Sequence, residues 1–383
     1  MVTGAHTGIQ IQILLGAFPR PMSELLTAAL LRVEVTENSN GPTGFQIVFD
    51  AGRGGPGHLG DGIIGSASLA PFSRVIIIVR MGLLPVVLVR GVITHRQLVY
   101  DQTDVVAVTG EDMTVMMDLA ERVVAHPAMG EAAIATEILT RYSDYGIVPQ
   151  VVTPTFVDQP VPAERVPVQH STDLAYLRLL AARVHHVFAL IPSPAIGSSI
   201  GYWGPAVGLG RPPLPPLPPL SVQTDGARDV RSLTFEHATL DAARVTGRIT
   251  DAKSGRAMPI LAAPLAVQGL AARIEVARRT LQAQHSGGLT AAAARARAQA
   301  TADASTDRVV TATGELDVAG YGSILRSHRL VGVRGAGPSC DGLYRVDSVT
   351  HLIEQGGYRQ KFTLVRPGVG TTAPVLPTSP LGG

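Results

Sequence analysis

The segment Leu343–Arg366, LYRVDSVTHLIEQGGYRQKFTLVR, reads as two strands folded about one tight turn. Val346-Asp-Ser-Val-Thr350 is rich in β-branched residues, Gly356-Gly357 supplies the reversal, and Tyr358 to Val365 alternates apolar with polar side chains. That is the pattern of a hairpin with one buried face. A weaker copy stands near the other end of the chain. Val33-Glu-Val-Thr36 is followed by a glycine-containing turn and then by Phe45, Ile47 and Phe49 at every second position. The echo predicts two related sheet domains, one toward each end.

Working outward, Arg74 to Val79, Pro85 to Val89 and Val105 to Val108 continue the first β-rich section, and the glycine-rich run Gly52 to Gly65 is expected as a surface excursion. Val75 to Ile93 is apolar enough to raise a membrane question. Arg80, Pro85 and Arg90 interrupt it, so two buried strands turning at Met81-Gly82 account for it better. At Thr109 the period changes. Thr109-Gly-Glu-Asp112 offers a polar helix start, and Met113, Met116, Met117, Ala120, Val123 and Val124 follow at helical spacing. Further helices are expected at Ile134 to Tyr142 and from a cap at Ser171, Thr172 or Asp173, before a buried strand at Val187 to Ile191.

Arg211 to Leu220, RPPLPPLPPL, must be extended. A second β-rich section follows, from Ser232 to Val365, with an Ala-rich helical stretch at Leu289 to Ala304. The resulting plan places a first domain over 1–108 and an inserted α+β region over 109–210, free-standing or in part completing the first barrel. A proline-rich linker over 211–230, a second domain over 231–366 with a helical insertion at 260–304, and a tail over 367–383 complete it.

Composition narrows the function. A formal charge of +2 and no basic stripe argue against nucleic acid as the main partner. Cys340 is the only cysteine, which excludes an internal disulfide and Cys-based zinc clusters within one chain. The first residues lack a basic start and are broken by Gln10 and Gln12, so no secretion signal is expected. Gly197-Ser-Ser-Ile-Gly201 matches a nucleophile-elbow string but leads toward Tyr202-Trp-Gly-Pro205 instead of a helix. The glycines between Gly52 and Gly60 lack the Lys-Ser or Lys-Thr of a phosphate loop, and the eleven histidines show no metal spacing. Glu111-Asp112 reads as a helix start before it reads as a glycosidase pair. Tyr202-Trp203 reads as packing before it reads as a sugar or base platform, and the proline run as a strap before an SH3-type ligand. No catalytic, cofactor-binding or metal residue is therefore nominated.

Several ordered strings carry a resemblance: Val106–Asp112 (VAVTGED) before the Met-rich stretch, Asp144-Tyr-Gly146, Gln169–Leu177 (QHSTDLAYL), Tyr202-Trp-Gly-Pro205 and Leu343–Arg366. Spread over Val33 to Arg366, they make the chain resemble the phage late-control D group of baseplate hub proteins. That group is related to the hub part of VgrG-like spike proteins and to extracellular contractile injection systems. The resemblance implies a mainly β fold with α+β insertions and two β-barrel-like hub domains, three chains of which form a pseudo-six-fold ring. It implies a structural, non-enzymatic subunit without cofactors that adapts a six-fold inner tube to a three-fold spike. Partners would be two further copies, a separate spike protein below, an inner tube or tube-initiator protein above, and baseplate wedge proteins. Membrane insertion is not implied. Assembly would take place in the bacterial cytoplasm, within the baseplate of a virion or phage tail-like particle. Tyr202, Trp203, Tyr344, Tyr358 and Phe362 are the residues expected to carry structural or interface roles.

Overall fold

The computed structural model describes residues 2–3, 8–52, 59–82, 84–100, 104–195, 197–206, 217–222, 229–251, 254–265, 270–284 and 287–370. In the first half, β1 (Ile9–Gly16), a short helix α1 (Glu24–Ala29), β2 (Leu30–Asn38) and β3 (Gly44–Asp50) come first. A helix α2 (Leu59–Ile64) precedes β4 (Arg74–Met81), β5 (Leu84–Val99) and β6 (Val105–Asp112). The glycine-rich excursion is thus helical at its end, because Ile63 is fully buried and anchors that turn in the core. The apolar run Val75 to Ile93 forms β4 and most of β5, and no helix among the described residues is long and apolar enough to cross a membrane.

The helix expected at Thr109 is not there. Val106, Val108 and Gly110 continue as β6, hydrogen-bonded to β3 on one side and β5 on the other, and two-sided pairing outweighs helical spacing. Only one short 3₁₀ turn, Met113–Met117, follows. Asp112 starts it, accepting from the Thr114 amide at 2.9 Å. Val123 and Val124 then lie on β7 (Glu121–Ala125).

The inserted region adds α3 (Glu131–Thr140), β8 (Ile147–Val151), β9 (Val168–Thr172), α4 (Asp173–Arg183), β10 (His186–Pro192) and β11 (Ser199–Pro205). Thr172 is the residue that caps α4, its hydroxyl accepting from the Ala175 amide at 3.2 Å. β7 pairs with β9, and β11 lies between β8 and β10. Ile138, Leu177, Leu180, Phe188 and Trp203 form a core of their own.

In the second half, β12 (Leu217–Ser221) takes the end of the proline run into a parallel pairing; the start of that run, 211–216, lies outside the described residues, as does the tail from 371 on. Next come β13 (Val230–His237), then a small sheet of β14 (Ala243–Thr250), β15 (Ala257–Ala262) and β16 (Arg279–Gln282) under α5 (Ala291–Ala304). Among the described residues the stretch 260–304 is helical over Ala291–Ala304, whose alanines Ala294 and Ala298 share one apolar cluster with Val245 and Ile260. Strands β17 (Val310–Asp317), β18 (Leu330–Arg334), β19 (Gly342–Glu354) and β20 (Gly357–Arg366) complete the chain.

Both predicted hairpins form: β2 with β3, and β19 with β20. They do not lie in separate sheets. β2 pairs antiparallel with β19, so one sheet runs β1-β4-β5-β6-β3-β2-β19-β20-β17-β13, with β12 and β18 branching from β19. Its path is open among the described residues, so the expected barrels are not closed within the chain. One apolar cluster spans both halves, from Val35, Phe45 and Ile77 to Val349, Phe362 and Leu364.

Candidate functional site

The junction of β2 and β19 is where the two hairpins meet, with Cα partners running from Asn38 opposite Ser348 to Arg32 opposite Glu354. Thr36 faces Thr350 at its middle, their hydroxyls 3.2 Å apart. On either side of this pair the sequence reads Val35-Thr36-Glu37 and Val349-Thr350-His351, and each strand supplies the partner of the other's valine. Val35 is opposite Phe45 on β3, and Val349 is opposite Phe362 on β20.

The correspondence extends one strand further. Phe45 is opposite Gly110 on β6, and Phe362 is opposite Gly314 on β17. A Cβ at Gly110 would lie 2.3 Å from the tip of the Phe45 ring, and one at Gly314 would lie 2.6 Å from the tip of Phe362. Both glycines stand in the string Thr-Gly-Glu, at Thr109–Glu111 and Thr313–Glu315, and an aspartate that caps the next turn follows directly in the first, as Asp112, and after Leu316 in the second, as Asp317. Outward from the seam, both halves therefore run hairpin strand, hairpin strand, Thr-Gly-Glu strand and a fourth strand, β5 or β13.

What differs across the seam is one pair, an acid against a histidine. Glu37 is 3% exposed and His351 is fully buried. The Glu37 carboxylate meets the Arg326 guanidinium at 2.5 Å, accepts from the Ser327 amide at 2.9 Å and lies 3.2 Å from Nε2 of His351. Burial pushes this carboxyl up, but Arg326, His351 and the Ser327 amide outweigh it and hold it at about 2. Gln360 sets the histidine tautomer. Its Oε1 accepts from the Leu325 amide at 3.0 Å and its Nε2 donates to the Leu325 carbonyl at 2.9 Å, which turns the amide N–H toward Nδ1 of His351 at 3.1 Å. Nδ1 is then an acceptor, also from Tyr358 Oη at 2.6 Å, and Nε2–H donates to Glu37. Burial keeps the imidazole below its ordinary value despite Glu37, and pushes the Tyr358 phenol well up. Arg326 also donates to the carbonyls of Val87 at 2.8 Å and Leu88 at 3.3 Å, tying the second half to β5.

At one end of the seam, Ser39 donates its amide to the Asp347 carbonyl at 2.8 Å and its hydroxyl to the Asp347 carboxylate at 2.5 Å. Arg308 and Arg345 pair with the same carboxylate. These are joints that fix register, with ionised groups held in protein contacts.

The five aromatic residues singled out from sequence divide into two places. Tyr358 and Phe362 belong to the seam. Tyr344, also in the second half, donates to the Cys340 carbonyl at 2.7 Å and carries the Arg366 guanidinium 4.4 Å above its ring. Tyr202 and Trp203 lie in the inserted region, Trp203 donating to the Leu177 carbonyl at 3.2 Å and Tyr202 to the Pro205 carbonyl at 2.9 Å. All five are at most 3% exposed. Asp173 of the QHSTDLAYL string is fully buried and accepts from Gln169, Tyr142 and Arg141, which ties α4 to α3. Asp112, the other half of the acidic pair, is a buried cap bonded to the Thr43 amide at 2.7 Å. Ser199 of the elbow-like string begins β11 and its amide bonds to the Gly146 carbonyl at 2.8 Å. Glu37, Arg326, His351, Gln360 and Asp347 were not singled out. The repeated Thr-Gly-Glu, at Thr109–Glu111 and Thr313–Glu315, is the sequence signal that could have pointed to their neighbourhood.

No family model and no curated protein matches the chain by sequence. Solved structures do match by shape. A tail protein from Neisseria meningitidis MC58 aligns over 95% of this chain and 98% of its own, with a TM-score of 0.62 at 12% identity. The 43 kDa tail protein of prophage MuSo2 from Shewanella oneidensis aligns over 93% and 98%, at 0.59 and 14%. An E. coli protein described as a component of the type VI secretion system, with structural similarity to the T4 bacteriophage tail proteins gp27 and gp5, aligns over 90% and 76%, at 0.52 and 14%. The chain is mainly β and has the fold of these tail proteins.

Proposed function

We propose that this chain is a structural subunit of the baseplate hub of a contractile tail or injection system, of the late-control D type, adapting a six-fold inner tube to a three-fold spike. The observation that carries this reading is the matched pair of half-sheets joined at Thr36 and Thr350. A chain with two equivalent strand sets offers six similar positions when three copies close a ring, and cyclic closure lets one sequence repeat its contacts. The shared fold with phage tail proteins supports the same role.

In this reading the open edge of the long sheet at β13 lies where a neighbouring copy would continue or close it, while the outer side of β1 is covered within the chain by Val2–Thr3 and Arg20–Pro21. Tyr344, Tyr358 and Phe362 stiffen the surfaces that meet neighbours, and Tyr202 and Trp203 hold the inserted region rigid. Partners are the tube or tube-initiator protein, a spike and the wedge proteins, assembled in the bacterial cytoplasm, and the role involves no enzymatic step. The test is to measure the mass of the purified chain in solution and to image it after mixing with the tube and spike proteins encoded beside it. Three copies bound between tube and spike are expected. A persistent monomer that joins neither overturns the reading.

A further inference from the structure

Arg90 and Arg366 are the buried arginines that form no ion pair among the described residues, but Arg366 donates to the Asp341 and Ser339 carbonyls and lies over the Tyr344 ring, whereas Arg90 is less well served. It stands on β5 opposite Ile76 of β4, and Arg74 lies two residues along β4 on the same face. Arg90 is 7% exposed. Its Nη2 donates to the Tyr145 carbonyl at 2.9 Å, while Nη1 is buried without an acceptor. Among the described residues no carboxylate forms an ion pair with Arg74 or Arg90, whereas Arg326, Arg141, Arg165 and Arg345 each have one. Buried arginine is ordinarily paired, because an uncompensated charge costs several kcal/mol. Burial and then the repulsion of Arg74 pull the Arg90 guanidinium below its ordinary value.

The surroundings make room for this arrangement. Gly146, the glycine of Asp144-Tyr-Gly146, adopts φ +74°, and a Cβ there would lie 2.9 Å from both terminal nitrogens of Arg90 and 2.3 Å from the Gly197 carbonyl. Beside the two arginines a cavity of about 220 Å³ is framed by Gly91 and Gly197, with Leu14 and Met113 as apolar walls. Two guanidinium groups beside one small cavity suit a planar or tetrahedral oxyanion, which accepts several charged hydrogen bonds at once.

We propose that this cavity is an oxyanion site in which Arg74 and Arg90 hold a carboxylate or phosphate group supplied from outside the chain. The site is independent of the assembly role. The test uses the full chain, with calorimetric titration and thermal melting in sodium phosphate and in sodium acetate against sodium chloride of equal ionic strength. At least one oxyanion raises the melting temperature above the chloride control. A larger effect of phosphate assigns a phosphate group as the natural occupant, and a larger effect of acetate assigns a carboxylate. Arg74→Gln, at a half-buried position, weakens binding about tenfold through loss of one charged contact. Arg90→Met abolishes the response yet leaves the anion-free protein at least as stable, because it removes an unpaired buried charge. The proposal is overturned by a wild-type response no larger than that to chloride, or by a response that survives undiminished in both variants. Arg90→Met destabilising the protein without changing its anion response also overturns it.

Discussion

The two halves of the long sheet use the same strand order and the same phenylalanine-on-glycine packing, but they stabilise their centre by different means. In the first half Val33, Val35, Ile47 and Phe49 make an apolar strand pair closed by β6. In the second, the face that carries Val349, Phe362 and Leu364 also carries His351, Gln360 and Asp347, each fixed by hydrogen bonds, with Arg326 reaching back to the first half. The apolar half supplies burial without direction. The polar half supplies direction, since its donors and acceptors are satisfied only in one register. A duplicated architecture needs such an asymmetry, or either hairpin would pair with a second copy of itself as readily as with its partner.

The largest expected effect comes from removing the acid that joins the halves. Glu37→Ala leaves the partly buried Arg326 without its carboxylate and the Nε2–H of His351 without its acceptor, and should cost about 3–5 kcal/mol in denaturant unfolding. A cost near that of an exposed substitution would show that the seam is not the joint described. Next come the two glycines. Gly110→Ala and Gly314→Ala should each destabilise by roughly 1–3 kcal/mol or more, since the ring above and the backbone behind leave no space for a methyl group. Gly110 is expected to be the worse, because its Cβ would meet the Val92 carbonyl at 2.2 Å against 2.6 Å from the Ser232 carbonyl at Gly314. Tolerance of alanine at one site and not at the other would break the equivalence of the halves.

Acid sharpens the comparison without mutation. Glu37 and His351 both titrate lower in the folded chain than their ordinary values of 4.5 and 6.5, so the unfolded chain takes up their protons first. Stability is whole above pH 6.5 and falls as His351 favours the charged unfolded form. It falls again from 4.5 toward 2 as Glu37 is lost. Melting curves between pH 8 and 3 read this in about one-unit steps, and His351→Gln should flatten the upper part only. The smallest effect belongs to the hydroxyl pair. Thr36→Val and Thr350→Val should each cost about 0.5–1.5 kcal/mol, and the double variant should cost less than their sum, a coupling that a double-mutant cycle measures directly.

The hairpins were legible because a half-buried strand has period two and its glycine turns are local. Phe45, Ile47 and Phe49, or Tyr358 and Phe362, announce their face without reference to anything distant. The helix expected after Thr109 failed for the opposite reason. Met113, Met116 and Met117 have helical spacing, but β6 is claimed by strands on both sides, and that pairing is invisible in a window of a few residues. The seam was least legible of all, since Glu37 and His351 are 314 residues apart and neither is unusual in its own neighbourhood. Aromatic residues drew attention by their rarity, and they proved to be buried anchors, while the residues that fix the join are a glutamate, an arginine and a histidine. Besides the hairpin echo, the repeated Thr-Gly-Glu links the halves in one dimension, and three residues carry too little information until the phenylalanines above the glycines are seen.

In the proposed function, one chain carries two equivalent half-sheets so that three copies would make six positions. A cryo-electron microscopy reconstruction of the assembled ring, computed without imposed symmetry, measures this directly. It should show three copies with β2–β3–β6 and β19–β20–β17 alternating at the same radius and inclination about the axis. A ring in which only one half lines the axis, or a copy number not divisible by three, would contradict it.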